Sequence, residues 1–267
     1  MRRVKWRQHA MTVWPPVLLA TVFLALWELG VHVFDVDMWL LPAPSDIVFA
    51  FLHNVEVVNR HMWPTLQEAM LGFATGIAVA LSLAVLIELS PWLRRGLYPL
   101  LVGTQTVPII AIAPLFIVWF GYGLLPKVLI VALVTFFPVA VSTVDGLSSA
   151  DRDMVRLLRS MGAGKWQIFR MVRFPHALPY VFSGLKIAAT YSVLGAVIAE
   201  WLGADAGLGV MLVRAQNSFS ADNVFVAIVV ITFWSLVLFG FIQAASRLLA
   251  PWAYTREQEQ WERKNAK

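Results

Sequence analysis

The segment Ser148–Gly184 reads SSADRDMVRLLRSMGAGKWQIFRMVRFPHALPYVFSG and lies between two long apolar stretches. Ser148 and Asp151 approximate a capping box, which predicts that a short helix begins here. Gly162 stands where such a helix is expected to end. The apolar residues of this helix fall at helical spacing on one stripe, namely Met154, Leu157, Leu158 and Met161. The short, basic helices of this segment cannot cross a bilayer, so we expect an amphipathic loop outside the membrane.

The second half of the segment predicts another short helix, over about residues 165–172, followed by a long one. Trp166 and Phe169 are the aromatic residues of the short helix. Pro175 is expected to interrupt it, and Pro179 suits the first turn of the long helix.

Three arginines, Arg152, Arg156 and Arg159, lie on a different face of the first short helix from its apolar stripe. One interpretation is therefore an interfacial helix that is attracted to anionic lipid. The alternative interpretation is a helix that presses on a partner protein.

A more specific pattern favours the partner protein. It consists of Gly162-Ala163, Trp166-Gln167-Ile168-Phe169, Phe174-Pro175, Leu178-Pro179 and Gly184. This pattern resembles the cytoplasmic "EAA" loop of bacterial ABC importer permeases. The resemblance extends over about residues 40–251 and is strongest to the nitrate/sulfonate/taurine (NitT/TauT-like) branch. Where the motif has Glu-Ala-Ala, this chain has Arg156-Leu157-Leu158, so the role of the motif's glutamate is not carried over.

The resemblance implies a type I (MetI-like) permease bundle whose loop docks into a groove of a separate ABC ATP-binding subunit. It also implies an external solute-binding protein that delivers the substrate, and hence import. The residues expected to couple to the ATPase are Met154, Arg156, Leu157, Leu158, Met161, Gly162, Ala163, Trp166, Phe169 and Pro175. Because one chain carries one docking loop, a homodimer is expected to face two ATPase subunits.

The composition independently predicts an all-α integral membrane protein. The chain has 267 residues, of which 59% are hydrophobic and only 14% are charged, whereas soluble domains average about 25% charged residues. This length accommodates about six spans of about 20 residues each. The absence of cysteine excludes disulfides and thiolate metal sites.

The apolar runs predict a cytoplasmic segment 1–14, a transmembrane permease domain 15–251 and a charged tail 252–267. The six spans are expected at residues 15–34, 67–89, 97–120, 127–144, 179–202 and 224–249, with the coupling loop at 148–178. Pro108 and Pro114 are expected to break the third span. The second span carries a stripe of small residues, Gly72, Gly76, Ala80 and Ala84, which permits close helix packing within the subunit or across a dimer.

The basic residues predict the orientation in the membrane. Of the 21 lysines and arginines, three (Arg60, Lys127 and Arg214) fall on the predicted outer side, and Lys186 lies at an inner helix end. The seventeen expected on the cytoplasmic side are Arg2, Arg3, Lys5, Arg7, Arg94, Arg95, Arg152, Arg156, Arg159, Lys165, Arg170, Arg173, Arg247, Arg256, Arg263, Lys264 and Lys267. This bias predicts that both termini of the multi-pass protein lie in the cytoplasm, and the resemblance implies that its membrane is the bacterial inner membrane. It also accounts for the net charge of +5 without nucleic acid.

Several polar or helix-breaking residues inside the spans are candidates for the translocation pathway. Lipid-facing Gln105 would be costly, so it is expected to face the bundle interior, either on the pathway or in a helix–helix hydrogen bond. Prolines inside a span are tolerated where a wet cavity satisfies the freed backbone groups. The predicted pathway residues are Gln105, Thr106, Pro108, Tyr191, Ser192 and Glu200.

The sequence carries no recognisable enzymatic or energy-coupling chemistry of its own. Gly164-Lys165 is not a phosphate-binding loop, because Arg159 replaces the required glycine and Trp166 replaces the Ser/Thr. The five histidines show no metal-ligand spacing, and no carboxylate pair is apparent within a single span. We therefore expect a translocation subunit without catalytic residues, cofactor or metal, driven by the ATPase.

The substrate is the least specific part of this prediction. The stretches Gln105–Ala111 and Trp119–Gly123 resemble those of permeases for thiamine-precursor pyrimidines, whereas sulfonate, taurine, nitrate and riboflavin importers share much of the pattern. Lys186 is the single basic residue available to attract an anion along the spans, which favours a neutral or aromatic solute. The competing functional classes are a secondary carrier or channel that needs no ATPase, and a structural membrane scaffold.

Overall fold

The computed structural model describes residues 2–253, with side chains from Trp14 onward, and every element within this range is helical. The helices are α1 (Arg2–Val33), α2 (Pro44–His53), α3 (Val55–Leu89), α4 (Pro91–Thr104), α5 (Ile109–Phe120), α6 (Leu124–Ser148), α7 (Arg152–Ser160), α8 (Lys165–Ile168), α9 (Phe174–Glu200), α10 (Leu208–Asn217) and α11 (Ala221–Leu249). A π-helical turn, Phe169–Arg173, joins α8 to α9. The predicted all-α class is confirmed. Most of the predicted tail, residues 254–267, lies outside the described range.

Five helical segments are long and apolar enough to cross a membrane: Trp14–Val33, Val55–Leu89, Leu124–Ser148, Lys165–Glu200 and Ala221–Leu249. A sixth span results if α4 and α5, which meet at a bend of 102°, are counted together. About six membrane helices were predicted, and the structure agrees. The helix of the second span, α3, begins at Val55, well before the expected start at residue 67, and it contains Pro64 without ending.

The break in the third apolar run lies at Pro108 alone. Pro108 is the N-cap of α5, whereas Pro114 lies inside that helix. The prediction that Pro114 also breaks the helix is therefore wrong. A proline removes one backbone donor and bends a helix without necessarily ending it.

The start of the fifth span also differs from the prediction. Pro175 does not interrupt the chain but lies in the first turn of α9, which begins at Phe174. The preceding π-helical turn is wider than an α-helical turn. This turn carries the helical path past Pro175, although that residue has no backbone N–H to donate.

The N-cap of α7 lies three residues after the expected one. Asp151, not Ser148, is the N-cap, and its carboxylate accepts from Asp153 N at 2.8 Å and Met154 N at 3.4 Å. Ser148 instead ends α6 and donates to Val144 O at 2.6 Å. Gly162 has a φ of +84° directly after the last helical residues, so the predicted helix end is confirmed.

The described chain divides into two compact units, residues 2–60 with Met211–Val230, and His61–Val210 with residues 231–253. In the first unit, the Glu28 carboxylate accepts from Ser45 N at 3.0 Å and from Ser45 Oγ at 2.6 Å, which ties α1 to the start of α2. Asn54 Nδ2 donates to Asn223 Oδ1 at 3.1 Å.

The second unit has its core between α6 and α9, with α3 and the C-terminal part of α11 packed against them. Gly184 of α9 lies against the Pro138 carbonyl, where an added Cβ would be 2.6 Å from that oxygen. At Gly76 of α3, an added Cβ would be 2.7 Å from the Ala132 carbonyl oxygen of α6. The small-residue stripe of α3 therefore packs within the subunit, since it is occupied by α6 of the same chain.

Candidate translocation cavity and coupling loop

The apolar stripe of α7 is largely exposed. Met154 is 49% exposed, Leu157 57% and Met161 74%, whereas Leu158 is half-buried. On the opposite face, Val155 is buried and anchors the helix to the rest of its unit. An exposed stripe of this kind on a short helix is typical of a surface that is covered by another protein.

The remaining predicted loop residues surround the end of α7 and the start of α8. Gly162 is exposed and half-buried Ala163 donates its N–H to Leu158 O at 3.0 Å. Trp166 is exposed and stacks on buried Phe169, with ring centroids 5.2 Å apart. The exposed Arg156 guanidinium pairs with Asp153 at 3.4 Å. The position of Pro175 in α9 makes it part of the helix that follows rather than of the loop.

A cavity of about 660 Å³ lies between the start of α5, the middle of α6 and the second half of α9. Its wall is mainly apolar, with Gln105, Ser142 and Tyr191 as its polar side chains. The full lining comprises Gln105, Pro108, Ile109, Ile110, Val134, Phe137, Pro138, Val141, Ser142, Ile187, Tyr191, Leu194, Gly195 and Ile198. None of these residues is ionisable near neutral pH, so the cavity is uncharged. We call it the α5–α6–α9 cavity.

Three of the six predicted pathway residues line this cavity: Gln105, Pro108 and Tyr191. Thr106 does not, and its hydroxyl donates to Gly103 O at 2.8 Å. Ser192 is buried and donates to Ala189 O at 2.8 Å. Glu200 is buried in a separate cluster described below.

Helix α6 also lines the cavity, although none of its residues was among the expected pathway residues. Phe137, Val141 and Ser142 line it from the helix that contains Pro138. Phe137 and Val141 are four residues apart and therefore share one helix face. That face resembles any buried apolar stripe in sequence, and only the polar Ser142 beside it marks it as unusual.

At the other end of α9, buried polar groups bond to one another. Thr65 Oγ1 donates to Glu200 Oε1 at 2.5 Å and accepts from Leu208 N at 2.8 Å. Glu200 Oε2 accepts from Gly209 N at 2.6 Å. Thr65 is fully buried and Glu200 is 1% exposed. These bonds connect the first turn of α10 to both α3 and α9.

A buried ion pair lies beside these groups. Lys127 Nζ donates to Glu68 Oε1 at 2.6 Å, and the carboxyl groups of Glu68 and Glu200 are close enough to interact. We call Thr65, Glu68, Lys127, Glu200 and the backbone of Gly207–Gly209 the Glu200 cluster. No single span contains a carboxylate pair, but Glu68 of α3 and Glu200 of α9 form one across two helices.

The Glu200 cluster leaves no room for a side chain at its turn. Gly207 has a φ of +145°, and a Cβ at this position would collide with the Glu200 carboxylate. His61 Nδ1 lies 3.0 Å from the Gly207 nitrogen and 2.9 Å from its oxygen. These contacts explain why glycine is needed here and why Glu200 cannot face the cavity.

Comparison with solved structures identifies the fold. The chain superposes on an inward-facing structure of the MetNI methionine ABC transporter with a TM-score of 0.65, covering 73% of this chain and 97% of that one at 19% identity. At this identity the likeness concerns the fold, and it confirms the predicted MetI-like bundle.

Sequence relatives are more similar. The formylaminopyrimidine transport permease protein ThiX of Halalkalibacterium halodurans is 36% identical over 89% of this chain and 95% of its own length. The taurine transport system permease protein TauC of Escherichia coli is 29% identical over 94% of each chain. The family described as the binding-protein-dependent transport system inner membrane component matches residues 72–252. The chain therefore belongs to this family of ABC importer permeases, within its nitrate/sulfonate/taurine branch.

Proposed function

We propose that this chain, as the permease subunit of an ABC importer, forms a homodimer that two ATP-binding subunits drive and that an external solute-binding protein supplies. Family membership supports an importer with such partners. The positive-inside bias supports a cytoplasmic position for the α7–α8 loop and for both termini. ATP hydrolysis belongs to the partner subunit, and this chain contributes the pathway and the coupling loop.

The observation that carries the coupling proposal is the exposed stripe of Met154, Leu157 and Met161 on α7. Burying this stripe in a groove of the ATPase would remove three large apolar side chains from water, each worth about 1.5–3 kcal/mol when fully buried. The Gly162 turn after α7 fixes the angle at which the helix leaves the bundle. Movement of the ATPase would then reach the cavity through α6 and α9, the most extensively packed helices of the unit.

The coupling proposal is tested with Leu157→Glu in the complete transporter. A buried carboxylate without a partner is costly, so the variant is expected to lose the ATPase on purification and to abolish uptake. Met171→Glu is the matched control, because Met171 is at least as exposed as Leu157 but lies off the stripe. Full assembly and uptake with Leu157→Glu would contradict docking through α7.

We further propose that the imported solute is neutral and aromatic, of the pyrimidine class to which the formylaminopyrimidine carried by ThiX belongs. The uncharged α5–α6–α9 cavity supports this class, since a sulfonate entering an apolar cavity without a basic residue would lose hydration uncompensated. Tyr191 and Phe137 offer faces for ring stacking. The Gln105 amide offers a donor and an acceptor to ring nitrogens and substituents.

Proteoliposomes that contain the permease, its ATPase and its binding protein test the substrate class. Uptake of labelled formylaminopyrimidine is expected, and uptake of taurine is not. Gln105→Leu and Tyr191→Ala should each reduce uptake about tenfold, the equivalent of one lost hydrogen bond or ring contact. Thr106→Val, next to Gln105 but off the cavity, should leave uptake unchanged. ATP-driven uptake of taurine would contradict the pyrimidine class and would indicate a sulfonate as the substrate.

A further inference from the structure

Two cavities lie between α7 and the helix ends that surround it, and the same three arginines line both. One cavity, of about 200 Å³, includes Glu88 and Lys165, and the other, of about 300 Å³, includes Arg152 and Arg156. The shared residues are Arg94 from α4, Arg159 from α7 and Arg173 from the π-helical turn. Basic side chains from three elements therefore converge on one place.

The acidic side chains present do not balance this charge. Glu88 pairs with Arg173, and Asp153 pairs with Arg156. Within residues 14–253, no acidic side chain forms an ion pair with Arg94, Arg159 or Lys165. Like charges around a shared cavity repel one another unless an anion lies between them.

The basic side of α7 is distinct from its exposed apolar stripe. Arg152 and Arg159 are three residues before and four residues after buried Val155, so they lie on the face of α7 that is turned toward the bundle. Leu157 and Met161 lie on the opposite face. A partner that covers the apolar stripe would therefore leave these two cavities between α7 and the bundle.

We propose that these cavities form a binding site for a phosphate group, held by the guanidinium groups of Arg94 and Arg159. Arginine binds phosphate oxygens through paired, charge-assisted hydrogen bonds. Arg94 is already oriented by its bond to Ser148 Oγ at 2.6 Å. Trp92, at the start of α4, is 81% exposed and is of the type that marks the headgroup level of a membrane. The phosphate comes from an anionic lipid headgroup or from a soluble phosphate, and both present the same chemistry.

The test uses the full-length permease in nanodiscs and does not depend on the ATPase. In discs of phosphatidylcholine mixed with phosphatidylglycerol, native mass spectrometry measures the phosphatidylglycerol that each permease retains. In discs of phosphatidylcholine alone, calorimetric titration measures binding of inorganic phosphate. Retention of the lipid identifies a headgroup site, and saturable phosphate binding identifies a soluble ligand.

The variant Arg94→Gln/Arg159→Gln is expected to weaken the observed binding at least tenfold, since each charge-assisted hydrogen bond is worth about one order of magnitude. Arg95→Gln is the matched control, because it removes an exposed arginine of the same helix that lines neither cavity. Arg94→Lys/Arg159→Lys should retain most of the binding. If the double glutamine variant does not fold, Arg159→Gln alone replaces it, because Arg159 is exposed.

The proposal is overturned if the wild-type permease binds neither probe, or if Arg95→Gln weakens binding as much as the double variant. It is also overturned if the double variant loses the ATPase while its binding of lipid and phosphate is unchanged. The arginines would in that case belong to the ATPase interface. Loss of anion binding with normal ATPase assembly would support the site independently of the proposed docking.

Discussion

The two ends of α9 differ in how far their side chains are buried within this chain. At its C-terminal end, Glu200 and its neighbours form a buried polar cluster whose groups bond mostly to one another, although Glu68 Oε2 has no hydrogen-bond partner. Before its first residue, the basic loop (residues 149–173) exposes both its apolar stripe and most of its arginines. The polar groups at one end of the helix find most of their partners within this chain, whereas the other end presents surfaces that nothing in the described chain covers.

This difference distinguishes the residues that stabilise the fold from those that remain available to bind partners. A buried polar group without a partner destabilises the fold, so the Glu200 cluster must keep all its members. An exposed apolar side chain costs the isolated chain little, and its contribution appears when a partner buries it. Substitutions at the two ends should therefore affect different measurements, unfolding at one end and assembly at the other.

The largest effect is expected from Lys127→Met. The substitution leaves the Glu68 carboxylate buried without its ion-pair partner, which should lower the free energy of unfolding by about 3–5 kcal/mol. The measurement is the unfolding midpoint of the purified permease in mixed micelles. The double variant Glu68→Gln/Lys127→Met should recover part of the loss, because no buried charge remains.

Lys186→Met is the control for this prediction. Lys186 lies half-buried in α9 and forms no ion pair among residues 14–253. A change as large as that of Lys127→Met would mean that any spanning lysine matters, and would contradict a specific role for the Glu68–Lys127 pair.

Gly207→Ala is expected to have the next largest effect and to lower the free energy of unfolding by roughly 2–4 kcal/mol. Alanine would have to adopt a positive φ, and its Cβ would collide with the Glu200 carboxylate. The same unfolding assay measures the effect. Gly240→Ala is the matched control, since an added Cβ there meets nothing within 4 Å and alanine favours the helix. Equal stability of both variants would show that the turn adapts without cost.

Thr65→Val preserves the shape of the side chain and removes its hydroxyl. The Glu200 carboxylate and the Leu208 N–H would each lose a buried partner, which should lower the free energy of unfolding by about 1–3 kcal/mol. Thr75→Val is the control, because the exposed Thr75 hydroxyl bonds to Leu71 O of its own helix. An unchanged midpoint for Thr65→Val would show that the network repacks around the missing hydroxyl.

The smallest effects are expected in α7. Val155→Ser removes a buried apolar side chain and should destabilise the permease by about 1–2 kcal/mol. Leu157→Ser alters an exposed residue two positions away and should change stability by less than about 0.5 kcal/mol. If Leu157→Ser were the more destabilising of the two, the stripe of α7 would be packed in the isolated permease and not free for a partner.

Local signals predicted most of the helices and the end of α7. Apolar runs of about 20 residues identified the spans, and Gly162 identified a helix end because few other residues adopt a positive φ. The failures lie where two local rules compete. Pro114 and Pro175 are helix breakers by local rules, yet both lie within helices because the surrounding turns accommodate a missing donor.

The candidate site was predictable only in part. Gln105, Pro108 and Tyr191 stood out as polar or helix-breaking residues in apolar surroundings, and they line the α5–α6–α9 cavity. Phe137 and Ser142 did not stand out, because an apolar helix face looks the same in sequence whether it lines a cavity or packs in a core. Glu200 was placed on the pathway although it bonds to Thr65 of another helix.

The sequence by itself determined the membrane class, the basic loop between two spans and the resemblance to importer permeases, because these depend on composition and on patterns within a few turns of one helix. The tertiary structure alone decided that Glu68, Lys127 and Glu200 meet, that Gly76 packs against α6, and that Arg94, Arg159 and Arg173 converge. Each of those contacts joins residues far apart in the chain. Their proximity follows from how the helices pack, which no local pattern encodes.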